Sequence, residues 1–293
     1  MIMKSILFVL LLSILSFNQA FAQEAEQVVL NVIYKTVHVN DTNHRDRPLV
    51  EDMLLMLGQT SSKYIRAANK PRPEPVNTGG GPTVVAVGRP MAVVNGPGIT
   101  EIELYQYPGA KKLDVTASLG MQRYLMEGKL PQIDWKVKDE TRQIDAYTCQ
   151  KATGYYAGRN YTAWFTSELP FQCGPWKFSG LPGLILEVED DKKEVQFLVK
   201  EIYKDSLGTD LGYGRKKPIK VSEAAFAKAK DAFYENPVAS MQAQLPPGSP
   251  TVKLAYRDGS GTSGTGEEAA QLIEKNKKEA KLRNNNPIEL KKR

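Results

Sequence analysis

The chain has 293 residues, a formal net charge of +6, two cysteines and two histidines. Eight Lys or Arg against Glu279 and Glu289 give residues 275–293 a charge of +6 of their own, so residues 23–274 are near −1 once a leader carrying Lys4 is removed. A basic total confined to a tail gives the body no support for a nucleic-acid role, and no later run is apolar for the roughly 18 residues a membrane helix needs.

Residues 1–22, MIMKSILFVLLLSILSFNQAFA, read as an export signal. Lys4 supplies the positive start, Ile6 to Phe17 the apolar run, and Ala20-Phe21-Ala22 the small-x-small cleavage pattern. No cysteine stands at the cut, so a lipid-modified N-terminus is not expected. The mature chain is expected to start at Gln23 in the periplasm, with secretion from the cell left open. Its length suits one large β-rich domain or two small ones.

Val28 to Val37 is rich in β-branched residues and predicts a first strand. The polar HVNDTNHRDR is a loop, and LVEDMLLMLGQTSSKYIR one or two strands punctuated by Gly58. Residues 70–98 are crowded with Pro and Gly and read as an insertion or long loop, with room for a short hairpin. TEIELYQYP, KKLDVTAS, MQRYLME and IDWKVKDE then follow at all-β spacing. QIDAYTCQKAT and RNYTAWFTSE form a hairpin; a symmetric turn puts Tyr147 and Cys149 on one face with Tyr161, Ala163 and Phe165, and a one-residue slip exchanges the faces. GLILEVED and KEVQFLVKEIY make another hairpin, turning near Asp190-Asp191. Ser222 caps a helix that ends at Pro237. Residues 238–266 read as a linker, and 267–293 as a basic helix and tail with a thin apolar stripe. The β-rich domain is thus placed at 23–237.

The densest punctuation lies in CGPWKFSGLPGLILEVED, Cys173 to Asp190. Pro182 holds Leu181 extended, and Pro182-Gly183 fits the centre of a type II turn. Gly180 permits a second unusual dihedral. Leu184, Ile185 and Leu186 are consecutive and predict a strand covered on both faces. Trp176 and Phe178 alternate with polar residues and anchor the turn. Packing is one use for these rings; lining a pocket for an apolar guest, together with Trp164 and Leu181, is the other.

Gly180 to Ile185 resembles the signature of the GLPGLI family of exported Bacteroidetes-type proteins. YTCQKAT, AGRNYTAWFTSELP and GPWKFSGLPGLIL stand in that family's order, and NNNPIEL resembles its C-terminal signature. The resemblance covers roughly Gln23 to Leu290, with Ala146 where the family more often has glycine and with 70–98 extra. It implies export and common ancestry, and no established chemistry.

Other chemistry is sparse. Ser179 lacks a G-x-S-x-G elbow and an indicated histidine partner, so no catalytic residue is assigned. His38, Asp41, His44 and Asp46 have spacing a divalent ion accepts but sit in or beside a solvated loop, so no metal site is assigned and no cofactor is expected. Arg159 is a candidate anion contact, the alternative being a surface arginine. Cys149 and Cys173 in an exported chain predict a disulfide, the alternative being two buried thiols.

The expected fold is mainly β, a curved antiparallel sheet resembling the half-barrel of lipoprotein carriers, with one or two C-terminal helices. The expected function is a non-enzymatic periplasmic carrier of a hydrophobic or lipid ligand. The alternatives are a module docking an outer-membrane transporter or other envelope protein, and a metal-binding protein or metal-dependent enzyme. Peripheral membrane contact through the basic tail stays open.

Overall fold

The computed structural model describes residues 26–69, 102–214, 217–248, 255–257, 263–265 and 284–290. The leader expected at 1–22, the insertion at 70–98 and the helix expected from Glu267 lie outside the described residues.

Twelve strands form one sheet. They are β1 (Leu30–His38), β2 (Leu49–Leu57), β3 (Ser62–Arg66), β4 (Ile102–Tyr107), β5 (Lys112–Leu119), β6 (Gln122–Lys129), β7 (Lys136–Ile144), β8 (Tyr147–Tyr156), β9 (Arg159–Thr166), β10 (Leu184–Asp190), β11 (Val195–Lys204) and β12 (Ile219–Lys220). Their order is β12-β6-β5-β4-β3-β2-β1-β11-β10-β9-β8-β7. Two meanders account for it: β1 to β6 step outward on one side, β7 to β11 step back on the other, and β11 closes on β1. Every pairing is antiparallel except that of β12 with β6. Bulges interrupt the register at Ile33/Tyr34, Ile185/Glu187 and Val137/Thr141. Each bulge adds bend and twist. The sheet is curved and open, as expected, with β7 and the two-residue β12 at its edges.

The run Met53 to Leu57 in β2 is buried throughout because the strand is covered on both faces. Met53, Leu55 and Leu57 join the main core, whereas Leu54 and Met56 pack against Val28, Ile65 and Leu211 on the other face. Successive strand side chains point to opposite faces, so an unbroken apolar run needs two partners. Leu184, Ile185 and Leu186 in β10 are fully buried as well, all with 0% exposure, but they join a single core cluster beside the bulge at Ile185/Glu187.

The β8–β9 hairpin corrects the expected register. Tyr156 pairs with Arg159 around a two-residue turn whose Ala157 and Gly158 both have positive φ, 49° and 94°. Such two-residue turns match the twist of the strands they join. The one-residue slip sets Ala152 opposite Ala163 and Gly154 opposite Tyr161, and leaves Cys149 on the other face from Tyr161, Ala163 and Phe165. Beyond the sheet, α1 (Glu223–Glu235) starts at the Ser222 cap as expected. Pro237 opens a second short helix, α2 (Pro237–Gln242), with Asn236 closing one and capping the other. The stretch expected as a linker therefore begins with α2, and further on it holds a small ribbon, β13 (Ala255–Arg257) with β14 (Ser263–Thr265).

Candidate functional site

The Cys173–Ile185 segment is folded back onto the core face of the sheet. Phe178 is fully buried among Tyr161 at 4.8 Å, Phe197 at 5.7 Å, Tyr156 at 5.9 Å and Trp135 at 6.3 Å between ring centroids. Leu181 is buried, while Gly180 and Pro182 beside it reach the surface. The turn is tighter than the expected type II turn: the Gly183 N–H donates to the Leu181 carbonyl at 2.8 Å, spanning three residues. Gly183 is required by contact. A Cβ there would stand 2.1 Å from the Thr166 carbonyl oxygen, at φ +154°. Polar bonds from distant strands fix the segment. Gln106 of β4 donates to the carbonyls of Trp176 and Gly174, Tyr34 of β1 to that of Ile185 at 2.6 Å, and the Trp135 indole to that of Ser179 at 2.8 Å. Ser179 is a buried turn serine.

Trp176 has φ +55°, a strained setting for a large residue. Its indole N–H donates to Glu289 at 3.0 Å, so the far C-terminal segment helps hold it. Trp164 is also buried, with the Arg142 guanidinium 4.1 Å above its ring. The rings expected to line a guest site thus belong to a packed interior.

Cys149 and Cys173 are free buried thiols rather than a disulfide. Cys149 faces the Tyr147 carbonyl on its own strand, and Cys173 lies near Ser62 of β3. Five strands separate β3 from β8 in the sheet. Burial pushes the Cys149 thiol up to about 11 and that of Cys173 to about 12.

Arg159 is neither a surface arginine nor open to an outside anion. It is 4% exposed and uses all five N–H donors inside the protein. Nη1 reaches Asp190 at 2.6 Å and Glu194 at 3.0 Å; Nη2 reaches Asn286 Oδ1 and the Pro287 carbonyl; Nε reaches the Ile288 carbonyl. Asn286 Nδ2 in turn donates to Glu194 and to the Val39 carbonyl, and His38 Nε2 donates to the Asn286 carbonyl at 2.7 Å. Arg45 completes the Glu194 contacts at 2.7 Å. Burial by itself would raise the Glu194 carboxyl, but the bonds from Arg159, Arg45 and Asn286 outweigh it and hold it below its ordinary value. Residues 284–290 are therefore part of the body. Sequence reading missed this because three consecutive asparagines carry no burial signal.

His38 is buried in this network, whereas His44 lies outside it, exposed and bonded to Asp41 at 2.8 Å. Among the described residues no three His, Cys, Asp or Glu side chains converge as a metal site would need.

Open space among the described residues lies on the opposite, outward face of β8 and β9. A cleft of about 630 Å³ has a floor of Thr153, Tyr155, Asn160 and Thr162. These four share a face because Thr153 pairs with Thr162 and Tyr155 with Asn160. Gln132, Asp134 and Lys136 form one wall, and Asp191 closes the far end. Along one side runs the free edge of β7, whose first eight residues are all exposed. Gly154 and Tyr161 also border it, but none of the candidate site residues named from the sequence does. The signal was available only as the polar alternation of Gln132, Asp134 and Lys136 between Ile133 and Trp135.

A family model described as a protein of unknown function (Porph_ging) matches residues 156–187, the stretch that carries the Gly180–Ile185 turn. None of the curated proteins matches the chain. Among solved structures, two crystal forms of PNGF-II align with TM-score 0.49 and 11% identity, over 69% of this chain and 32% of theirs. The chain thus spans about a third of the length of these neighbours.

Proposed function

We propose that this chain is an exported, GLPGLI-type periplasmic protein that acts without catalysis, as a docking module for an envelope partner such as an outer-membrane transporter. The leader-like residues 1–22 support export, and the family-model match across the Gly180–Ile185 turn supports the ancestry. The observation that carries docking is the edge strand β7. It offers nine residues, eight of them exposed, whose outer side has no strand partner among the described residues. A row of unpaired backbone groups is a template for an added strand. Its charges oppose self-pairing. In the full-length antiparallel register, Lys138 of one copy faces Arg142 of the other and Glu140 faces Glu140. Like charges directly opposite are destabilising. The carrier alternative ranks lower because Trp164, Trp176, Phe178 and Leu181 are packed against neighbours in the core. Docking through the end of the tail also ranks lower, since Ile288 and Asn286 are already buried in the body.

The test is a photo-crosslinking residue placed in turn at Val137, Asp139 and Thr141 of the full chain in its native envelope. Met121, exposed near the other edge, is the control. The expected result is one adduct common to the three β7 positions and absent from Met121, re-formed from the purified pair. An adduct equal to two copies of the chain, or none specific to β7, sinks the reading.

A further inference from the structure

We infer that the outward cleft over β8 and β9 is a binding site for a neutral, hydroxyl-rich ligand, a short oligosaccharide. This goes beyond docking at the β7 edge and does not depend on it, because the cleft floor is the sheet face rather than the strand edge.

The register builds the floor. Lys136, Thr153 and Thr162 pair in sequence across β7, β8 and β9, so their side chains stand in one row on one face. Tyr155 and Asn160 make the next row, two residues along. With strands about 4.8 Å apart, and about 3.3 Å per residue along them, the floor spans roughly 10 Å by 7 Å. Behind it Gly154 lies on the core face, against which Trp135 and Ile133 pack; a Cβ at this glycine would stand 2.8 Å from the Trp135 ring. That packing lets the Gln132–Lys136 segment close over β8 with its polar side chains turned to the cleft. The volume of about 630 Å³ falls within the range of roughly 300–1,000 Å³ typical of small-molecule sites.

The lining selects the ligand class. Small-molecule sites are usually lined by apolar side chains with few polar groups. This one carries a larger polar share: hydroxyls from Thr153 and Thr162, amides from Gln132 and Asn160, carboxylates from Asp134 and Asp191 and one ammonium from Lys136 stand beside Gly154, Tyr155 and Tyr161. An acyl chain would leave these polar groups unpaired, because they interrupt the apolar surface of the cleft. A strong anion meets two carboxylates against one ammonium. A divalent ion finds no third ligand, because among the described residues no metal-type cluster forms. A sugar satisfies the set, since each hydroxyl both donates and accepts, to match carboxylates, amides and hydroxyls together. Tyr155 supplies the remaining element. The residue is 49% exposed on the floor, and among the described residues no other ring stacks on it. A flat amphipathic ring with an open face suits the C–H face of a pyranose while its hydroxyl stays wet. Asp134 and Lys136 form no ion pair among the described residues, so neither has to give up a partner to meet a ligand.

The test is an amide-resolved NMR titration of the mature chain with chitotetraose, maltotetraose, xylotetraose and mannotetraose, and with tetraglycine as the peptide probe. One or more of the sugars should shift amides of residues 153–155, 160–162 and 191, with saturation at or below ~10 mM, a weak affinity on the usual scale. Tyr155→Ala and Asp134→Asn should each weaken that binding at least tenfold without changing Tm, since both side chains are exposed. Lys228→Glu, exposed on α1 and outside the cleft, should leave it unchanged. No shift with any of the four sugars overturns the inference, as does binding that survives Tyr155→Ala. An equal response to tetraglycine overturns the sugar assignment in favour of a peptide. A loss of crosslinking along β7 has no bearing on these outcomes, so the two readings fail separately.

Discussion

The two faces of β8 and β9 are built in opposite ways. On the core face, Tyr156 and Tyr161 meet Phe178 from the Gly180–Ile185 turn, and every ring is buried. On the outward face, one residue away along each strand, Tyr155 and Thr162 line a polar cleft. The lesson concerns what aromatic density means in an exported β protein. The richest cluster of rings and glycines closes the interior, and the sparser face holds the open space. Apolar area of this size drives folding, at about 25 cal/mol per Å² removed from water, before it serves any guest.

The sharpest way to break the core face is Gly183→Ala. The new Cβ would overlap the Thr166 carbonyl oxygen at 2.1 Å, and backbone cannot move aside as a flexible side chain does. A loss of more than about 4 kcal/mol is expected, in the range reserved for severe core lesions. Gly180→Ala gives the contrast. Its φ of +92° is strained for alanine, but the nearest atom to a new Cβ is 3.9 Å away. Its cost should stay at about 1–3 kcal/mol. Thermal unfolding of both variants checks the difference; equal losses would show that the turn does not press on β9.

Next in size is the buried ion cluster. Arg159→Ala leaves Asp190 buried without its cation and Glu194 with Arg45 alone, and should cost about 3–5 kcal/mol. Asn286→Ala removes bonds from the same network but leaves the ion pairs, and should cost about 1–3 kcal/mol. Hydrogen exchange should show the same regions loosened in both: residues 38–45, the β10–β11 turn and residues 284–290. Loosening confined to the tail would mean that the tail merely rests on the body.

The same cluster predicts acid sensitivity in two stages. Burial holds the His38 ring below its ordinary 6.5, with the Asn286 carbonyl and the charges of Asp190 and Glu194 opposing that and Arg159 adding to it. A depressed folded value means the unfolded chain binds the proton first. The stability His38 contributes is therefore complete above pH 6.5 and is lost as the pH falls below it. Glu194, held below its ordinary 4.5, contributes stability above pH 4.5 that is lost on further acidification. Tm measured from pH 8 to pH 3 should fall in both windows. His38→Gln should flatten the upper stage, and Glu194→Gln the lower; a single stage unaffected by either variant would locate acid sensitivity elsewhere.

Much of the sheet was legible in the sequence because its strands are short, β-branched and separated by turn residues. The consecutive apolar residues of β10 declared their full burial. The hairpin register was not legible, because it depends on Ala157, an alanine, taking a left-handed conformation beside Gly158. Nor was the place of Arg159. A strand-opening arginine after a turn looks like surface until Asn286, 127 residues away, is brought against it. The cleft escaped because its lining residues are ordinary surface types whose meeting is set by topology.

The cysteines give the smallest expected effect and the most direct contrast with sequence-based expectation. A disulfide closing the loop between Cys149 and Cys173 would contribute roughly 3 kcal/mol, so its reduction would lower Tm of a chain this size by several degrees. With two separate thiols, reductant should leave Tm unchanged. Burial also keeps both thiols protonated, at about 11 and about 12, and reactivity follows the thiolate. A thiol reagent at pH 8 should therefore modify neither cysteine in the native chain and both once denaturant is added. A shift of Tm under reductant, or failure to titrate two thiols after unfolding, would return the pair to the bonded state and draw β8 toward the Cys173 loop.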